Sequence, residues 1–133
     1  MEMNEDQQEL MFKLQMFEQQ IQGIQQQMQA VEKAIIDMDA LNLGLDELKG
    51  KKDQEIMASI GRGIFVKAKL LSEDLTVDIG RKNFVKKSIP DTQKIIAEQV
   101  EKLNDAKNDL EKAMENINED LTKTMLESQE KQK

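Results

Sequence analysis

The sequence has no cysteine, histidine, tryptophan or tyrosine, and one proline among its 133 residues. The absence of cysteine excludes disulfides, and without cysteine and histidine the usual zinc and copper ligands and the commonest general base are missing. No apolar run approaches the ~20 residues that a membrane-spanning helix requires, and no signal-peptide pattern opens the chain. We therefore expect a cytoplasmic protein that is not an enzyme and has no cofactor, no metal site and no membrane partner.

Aromatic residues are scarce, whereas charged residues make up 34% of the chain. There is too little bulky apolar material for a compact core, yet the pattern is too regular for disorder. Acidic residues outnumber basic ones ten to three in residues 1–50 and eleven to seven in residues 91–133, while residues 55–90 hold seven basic and four acidic residues. Acidic ends around a mildly basic centre argue against nucleic acid as a partner.

Apolar residues recur at alternating spacings of four and three residues from Leu10 to Met38. This first stripe occupies positions 10, 14, 17, 21, 24, 28, 31, 35 and 38. A mean period of 3.5 residues over this length predicts a left-handed coiled coil. The pattern then jumps by three residues to Leu41, followed by Leu45 and Leu48, which predicts a stammer before Gly50 ends the helix.

A second stripe with the same spacing runs from Ile96 to Thr124. Its positions are 96, 100, 103, 107, 110, 114, 117, 121 and 124, of which Lys107 and Thr124 are not apolar. Ser88 and Asp91 have the spacing of a capping box, and Pro90 is tolerated in a first turn, so this helix is expected to begin near Ser88. We predict that the two helices pair as an antiparallel coiled coil.

A repeated motif lies between the helices. Residues 60–67 (Ile-Gly-Arg-Gly-Ile-Phe-Val-Lys) return nineteen positions later as residues 79–86 (Ile-Gly-Arg-Lys-Asn-Phe-Val-Lys), with six of eight residues identical. Each copy places a Gly-Arg turn between two β-rich runs, which predicts two tandem β-hairpins. Their apolar residues alternate with polar ones, whereas Phe65 and Phe84 fall on the polar side.

Short hairpins are marginal in water and leave open edges, so the hairpins are expected to join subunits into an oligomer. The predicted oligomerisation residues are Ile60, Gly61, Ile64, Phe65, Val66, Ala68, Leu70, Leu75, Val77, Ile79, Gly80, Phe84 and Val85.

Apolar residues off the stripes are concentrated near the two chain ends. Four of the nine methionines are Met1, Met3, Met11 and Met16. Two helices cannot bury so wide an apolar surface, and methionine adapts to partners of many shapes, so this surface is predicted to bind another protein. The alternative is ordinary coiled-coil packing with frayed ends. The candidate binding residues are Leu10, Met11, Phe12, Leu14, Met16, Phe17, Leu121, Met125 and Leu126.

No motif predicts catalysis. Gly61-Arg62-Gly63 superficially suggests a phosphate loop, but a strand pattern follows it, and no Gly-Lys-Ser/Thr occurs. The helical carboxylates are spaced for ion pairs with lysines, as Glu98 is with Lys102, rather than for a metal site or a catalytic pair.

The whole pattern resembles the alpha class of the prefoldin family, in its archaeal form. The resemblance rests on the order helix, two hairpins, helix, and on residues 60–68 and 75–80, which are similar to the hairpin motifs of that class. Lys82 stands where the class often has a second glycine, and Ser59 stands where a proline is often found. The resemblance implies a hexamer of two alpha and four beta subunits, whose hairpins form β-barrels from which coiled-coil arms extend.

The same resemblance implies an ATP-independent holdase. It would bind unfolded proteins at the arm ends and pass them to a group II chaperonin. We expect one mainly α domain with a small β insert over residues 1–133, comprising a helix (1–50), two hairpins (54–89) and a second helix (88–133). The alternatives are a structural or adaptor coiled-coil protein, and an alpha-class homo-oligomer that forms filaments.

Overall fold

The computed structural model describes residues 4–131, in which two long helices flank four short strands. The helices are α1 (Glu5–Leu48) and α2 (Ile89–Lys131), and the strands are β1 (Glu55–Gly61), β2 (Ile64–Lys69), β3 (Leu75–Asp78) and β4 (Phe84–Lys87). β1 pairs antiparallel with β2, and β3 with β4, so the described strands form two separate hairpins. The predicted fold class and the predicted order of elements are confirmed.

Both helices begin at side-chain caps. Asn4 Oδ1 accepts a hydrogen bond from the backbone N–H of Gln7 at 2.8 Å, while Gln7 Oε1 accepts one from the backbone N–H of Asn4 at 3.2 Å. At α2, Ser88 Oγ accepts a hydrogen bond from the backbone N–H of Asp91 at 3.1 Å. These bonds satisfy backbone N–H groups that have no partner within the first turn of a helix. The bond to Ser88 confirms the predicted cap at the start of α2.

The chain divides into two compact units, of which the first joins the described residues up to Ile35 with those from Lys102 onwards. Within it the helices run antiparallel, because Leu10 shares a groove with Ser128, whereas Glu32 pairs with Lys107 at 3.7 Å. The predicted stripe positions in this unit are all half-buried: 10, 14, 17, 21, 24, 28, 31 and 35 on α1, and 103, 107, 110, 114, 117, 121 and 124 on α2. The two stripes therefore form the seam of the coiled coil.

The second unit, Ile36–Glu101, contains the buried core. Leu45 of α1 meets Ile89 and Ile96 of α2, and each of these three side chains is buried. The half-buried side chains around them are Met38, Leu48, Leu75 and Val100. Since Leu75 is the first residue of β3, this core fixes the second hairpin to the helices.

The seam in this unit passes through a polar residue, and the predicted seam position at Leu41 is wrong. Leu41 is half exposed, whereas Asn42, four residues after Met38, is half-buried. Within the described structure the Oδ1 atom of Asn42 is buried without a hydrogen-bond partner. The helix thus places a buried amide oxygen in its seam, which then runs on through Leu45 and Leu48 as predicted. A polar residue at such a position generally costs stability and favours one register.

Both hairpin turns adopt the left-handed backbone conformation, but they do so with different residues. In the first turn Arg62 and Gly63 have φ of 49° and 79°, and in the second Arg81 and Lys82 have φ of 52° and 61°. Lys82 therefore adopts the left-handed conformation without the glycine that usually relieves it. The first hairpin also has a register shift between Ser59 and Gly61, which leaves Ile60 unpaired.

A side-chain hydrogen bond joins the helices beside the core. Gln93 Nε2 donates to Asp46 Oδ1 at 2.6 Å, and Lys49 Nζ lies 3.3 Å from the same oxygen. The hydrogen bond from Gln93, followed by that from Lys49, holds the pKa of the Asp46 carboxyl below its ordinary value of 3.8.

We predict that Asn42→Leu raises the free energy of unfolding by about 1 kcal/mol, because it replaces a buried amide oxygen that has no partner with an apolar side chain. Thermal unfolding followed by circular dichroism measures the change. Asn104→Leu is the matched control, since Asn104 is exposed on α2. A fall in stability for Asn42→Leu would show that the amide has a stabilising partner.

We predict that Gln93→Ala raises the pKa of Asp46 towards 3.8, as measured by NMR titration of the carboxyl carbon. Because the folded-state pKa is the lower one, the contact stabilises the fold above the unfolded-state pKa, and this stability is lost as the pH falls through the folded-state pKa. The difference in stability between wild type and variant therefore shrinks in that acidic window. The control is Gln99→Ala, at an exposed position of α2, and an unchanged Asp46 titration in Gln93→Ala would contradict the assignment.

Candidate interaction surfaces

The predicted binding residues near the chain ends divide into two groups by exposure. Those on the seam, Leu10, Leu14, Phe17 and Leu121, are half-buried. Those off the seam are exposed, from 44% for Met125 to 63% for Phe12, and comprise Met11, Phe12, Met16, Met125 and Leu126. We call this second group the arm-end surface. Met1 and Met3, which the sequence analysis placed with it, lie outside the described residues.

A groove in the first unit connects the two helices beside the arm-end surface. Met16 and Phe17 line it from α1, and Thr124 and Glu127 line it from α2. Its remaining charged residues are Lys13, Asp120 and Lys123. Apolar side chains bordered by charges of both signs suit an apolar peptide with a polar backbone. The groove does not include Met125 or Leu126, so the sequence analysis grouped residues that the structure only partly brings together.

The hairpins present two faces with different chemistry. Cross-strand pairs put Ala58 opposite Val66 and Val77 opposite Val85 on the apolar face. This face is half-buried at Ala68, Leu70 and Leu75, but exposed near the turns at Ile60, Ile64 and Ile79. Gly61 and Gly80 begin the two turns and are exposed. The apolar ends of both hairpins therefore remain uncovered in the single chain.

The opposite face carries the two phenylalanines that the sequence placed there. Phe65 lies opposite Ser59, and Phe84 lies opposite Asp78, and both rings are more than half exposed. Each described sheet has two strands, so each hairpin has two open edges. Exposed apolar residues on both faces and unpaired edges are typical of an element that is completed by another chain.

Exposed apolar residues at the carboxyl end of α1 were missed by the sequence analysis. Ile36 and Leu43 are 66% and 65% exposed, although they lie among residues that pack in the core. Ile36, Ala40 and Leu43 are spaced by four and three residues, which places them on one side of the helix. This spacing is the signal in the sequence from which they could have been found.

Residues 4–131 contain no cluster of three acidic residues that is arranged to hold a metal ion. In the same range, neither helix has a stretch that is long and apolar enough to cross a bilayer.

The order of elements and the hairpin pairing agree with a comparison of the sequence with known families. The family profile described as Prefoldin subunit matches residues 17–133. The chain belongs to the prefoldin family. This family consists of chaperone subunits rather than enzymes, and its members assemble with other prefoldin subunits.

Two relatives are archaeal proteins named prefoldin subunit alpha. The protein of Methanobrevibacter smithii is 34% identical over 110 residues, which cover 82% of this chain and 73% of that protein. The protein of Methanococcus aeolicus is 31% identical over 106 residues, which cover 78% and 72%. These matches confirm the predicted resemblance to the archaeal alpha class.

A solved structure, described as filamentous PFD from Methanocaldococcus jannaschii, has the same fold. It superposes with a TM-score of 0.76 at 17% identity, and the match covers 86% of this chain and 97% of that chain.

We predict that the double variant Val66→Asp, Val77→Asp keeps its helices but fails to assemble with other prefoldin subunits, because assembly would bury unpaired carboxylates on the apolar face. Native mass spectrometry measures the assembly, and circular dichroism measures the helices. Thr76→Asp is the matched control, since Thr76 is the neighbour of Val77 on the other face of β3. A complex of unchanged mass would contradict the assignment of this face to assembly.

Proposed function

We propose that this chain is a subunit of an ATP-independent chaperone that binds unfolded polypeptides at the arm-end surface and passes them to a group II chaperonin. The observation that carries the proposal is the exposure of Met11, Phe12 and Met16 on α1, and of Met125 and Leu126 on α2, within a protein of high charge. Unfolded proteins expose apolar segments, and an exposed apolar patch on a polar protein usually marks a binding site.

The size of this surface indicates weak, reversible binding by a single arm. Full burial of a Met, Leu or Phe side chain contributes about 1.5–3 kcal/mol, and each of these residues is already about half covered. Five such contacts supply on the order of 5 kcal/mol, which corresponds to a dissociation constant of about 0.2 mM and a weaker one once ordering costs are included. A useful hold on a client therefore requires several arms that act together, since linked weak sites gain from their high effective concentration.

That requirement agrees with assembly through the hairpins. We propose a hexamer in which two copies of this alpha-class chain join four beta-class subunits, with the hairpins forming the shared centre. The repeated motif, the exposed apolar ends and the open edges support this role. We place the complex in the cytoplasm, without cofactors and without nucleic acid or membrane partners, in keeping with the acidic helices and the absence of cysteine.

A second candidate is a structural role, as an adaptor coiled-coil protein or as a filament of alpha-class chains alone. The filament alternative is motivated by the similar solved structure, which is described as filamentous. Light scattering of the chain by itself separates the two functions. A filament former reaches its final size alone, whereas a hexamer subunit stays small until beta-class subunits are added.

We predict that replacing Met11, Phe12 and Met16 together with Ser reduces the suppression of aggregation of a denatured test protein by about tenfold or more, because most of the apolar contact area on α1 is lost. The assay uses the complex assembled with beta-class subunits. Leu71→Ser is the control, since Leu71 is 74% exposed and lies in the connection between the hairpins.

A deletion gives a second variant for the same proposal. Removal of residues 1–17 and 118–133 is expected to abolish aggregation suppression while the hexamer persists by native mass spectrometry. Full activity of either the triple variant or the truncated complex would overturn the proposed site.

A further inference from the structure

The methionines of α1 and α2 fall into two sets that differ in exposure. The first set belongs to the arm-end surface, where Met11, Met16 and Met125 are 46%, 45% and 44% exposed. The second set is half-buried at seam positions and comprises Met28, Met38 and Met114. The thioether groups of the first set are therefore open to small solutes, whereas those of the second set are partly covered by neighbouring side chains.

Methionine is the only sulfur-containing residue of this chain, because the sequence has no cysteine. Peroxides convert the thioether of methionine to a sulfoxide, whereas the hydrocarbon side chains of Leu, Ile and Val have no atom that reacts in this way. The rate at a given sulfur depends on its exposure to the oxidant. Within the two helices, a peroxide therefore reacts first with the methionines of the arm-end surface.

The reaction needs the side chain and one peroxide molecule. A lone pair of the thioether sulfur attacks one oxygen of hydrogen peroxide, an S–O bond forms, and the O–O bond breaks. The second oxygen leaves with both hydrogens as water. The sulfur loses two electrons and the peroxide gains them, so the products are a methionine sulfoxide and water.

This reaction changes the chemistry of the arm-end surface more than that of any other part of the helices. Three of the five residues in the surface are methionines. Oxidation turns each of these flexible apolar side chains into a polar one that carries a hydrogen-bond acceptor. Phe12 and Leu126 are not converted, so the surface keeps a smaller apolar area. Its contact with an apolar segment of another protein is correspondingly weaker.

The groove beside this surface is altered by the same step. Met16 lines it together with Phe17, and Lys13 and Lys123 lie in the same lining. A sulfoxide oxygen on Met16 is thus formed in a groove that already contains hydrogen-bond donors, which favours the polar form of the groove over an apolar occupant.

The packing between the helices depends much less on sulfur. The buried core consists of Leu45, Ile89 and Ile96, and none of these side chains contains sulfur. Most of the seam in the first unit is likewise built from leucine, isoleucine and valine. Oxidation confined to the exposed methionines therefore changes the binding surface and leaves the fold in place.

We propose that Met11, Met16 and Met125 are oxidation sites at which peroxide lowers the affinity of the arm-end surface for unfolded polypeptides while the coiled coil stays folded. The inference rests on the proposed function, because it concerns the regulation of that same surface. Methionine sulfoxide reductases return the sulfoxide to the thioether, so the change is reversible.

The first measurement follows oxidation residue by residue. The chain, assembled with other prefoldin subunits, is treated with hydrogen peroxide, which is then removed with catalase, and peptide mass spectrometry quantifies each sulfoxide. Met11, Met16 and Met125 are expected to reach half conversion at least about threefold sooner than the half-buried set, because their sulfur atoms are more exposed. Circular dichroism is expected to show unchanged helices.

The second measurement is made on the same samples. Oxidation of the wild-type complex is expected to weaken the suppression of aggregation of a denatured test protein at least about threefold, because apolar contact area is lost. Treatment with the two epimer-specific methionine sulfoxide reductases and dithiothreitol is expected to restore it. The loss is partial, since Phe12 and Leu126 remain apolar.

A triple variant assigns the effect to these residues. Met11→Leu, Met16→Leu and Met125→Leu together remove the three exposed sulfur atoms while size and apolar character are kept, so this variant is expected to retain suppression after peroxide treatment. The matched control replaces the half-buried set Met28, Met38 and Met114 with leucine, and it is expected to lose suppression as the wild type does. Met57, which is exposed on the first hairpin, and the methionines of the other subunits are the same in both variants.

Three outcomes would each overturn the proposal: equal oxidation rates for the two sets, full suppression by a complex whose three arm-end methionines are oxidised, and equal sensitivity of the two leucine variants to peroxide. An untreated complex that does not suppress aggregation would overturn the proposed function itself, and this inference with it. The untreated sample therefore distinguishes the two failures.

Discussion

The structure depends on the small amount of apolar surface that two paired helices can bury between them. In a two-helix coiled coil each helix buries a narrow stripe at two positions in every seven, and the remaining positions face outwards. Among the described residues, three apolar side chains are buried, and all three lie in the unit that contains the hairpins. Every other large apolar residue is left partly open to solvent or to another molecule. The candidate interaction surfaces of this prefoldin subunit are therefore the apolar residues that its own seam does not use.

The composition of the seam changes along the first unit. Lys107 occupies a seam position, where its alkyl stem packs between the helices and its ammonium group reaches Glu32. Nearer the end of α2, Thr124 and Ser128 are the half-buried seam residues beside Leu10 and Lys13. Apolar residues on α1 are thus matched there by hydroxyl groups on α2. This pairing holds the helices together less strongly than the Leu45–Ile89–Ile96 core, and it leaves apolar contact area available to other molecules.

Much of the fold could be predicted because its local signals agree with one another. The heptad spacing predicted both helices, the repeated Gly-Arg motif predicted both hairpins, and Ser88 predicted the start of α2. One seam position beyond Met38 was predicted wrongly, because counting apolar residues selects Leu41, whereas helix geometry places Asn42 in the seam; Leu45 and Leu48 pack there as predicted. Exposure at Ile36 and Leu43 could not be predicted either, since a sequence shows that a residue is apolar but not how many neighbours surround it. The roles of the arm-end and hairpin residues stay predictions for the same reason.

The pairing of the strands into two separate two-stranded sheets has a consequence for the life of the chain in a cell. A two-stranded ribbon gains most of its cohesion from what covers it, so the central segment of this subunit is stabilised by mass action of its partners. Its resistance to proteolysis then depends on the supply of sister subunits, and a copy made in excess is removed sooner than one that is incorporated. Degradation of orphan copies in this way matches the amount of this chain to that of the prefoldin subunits it assembles with, without any dedicated regulator.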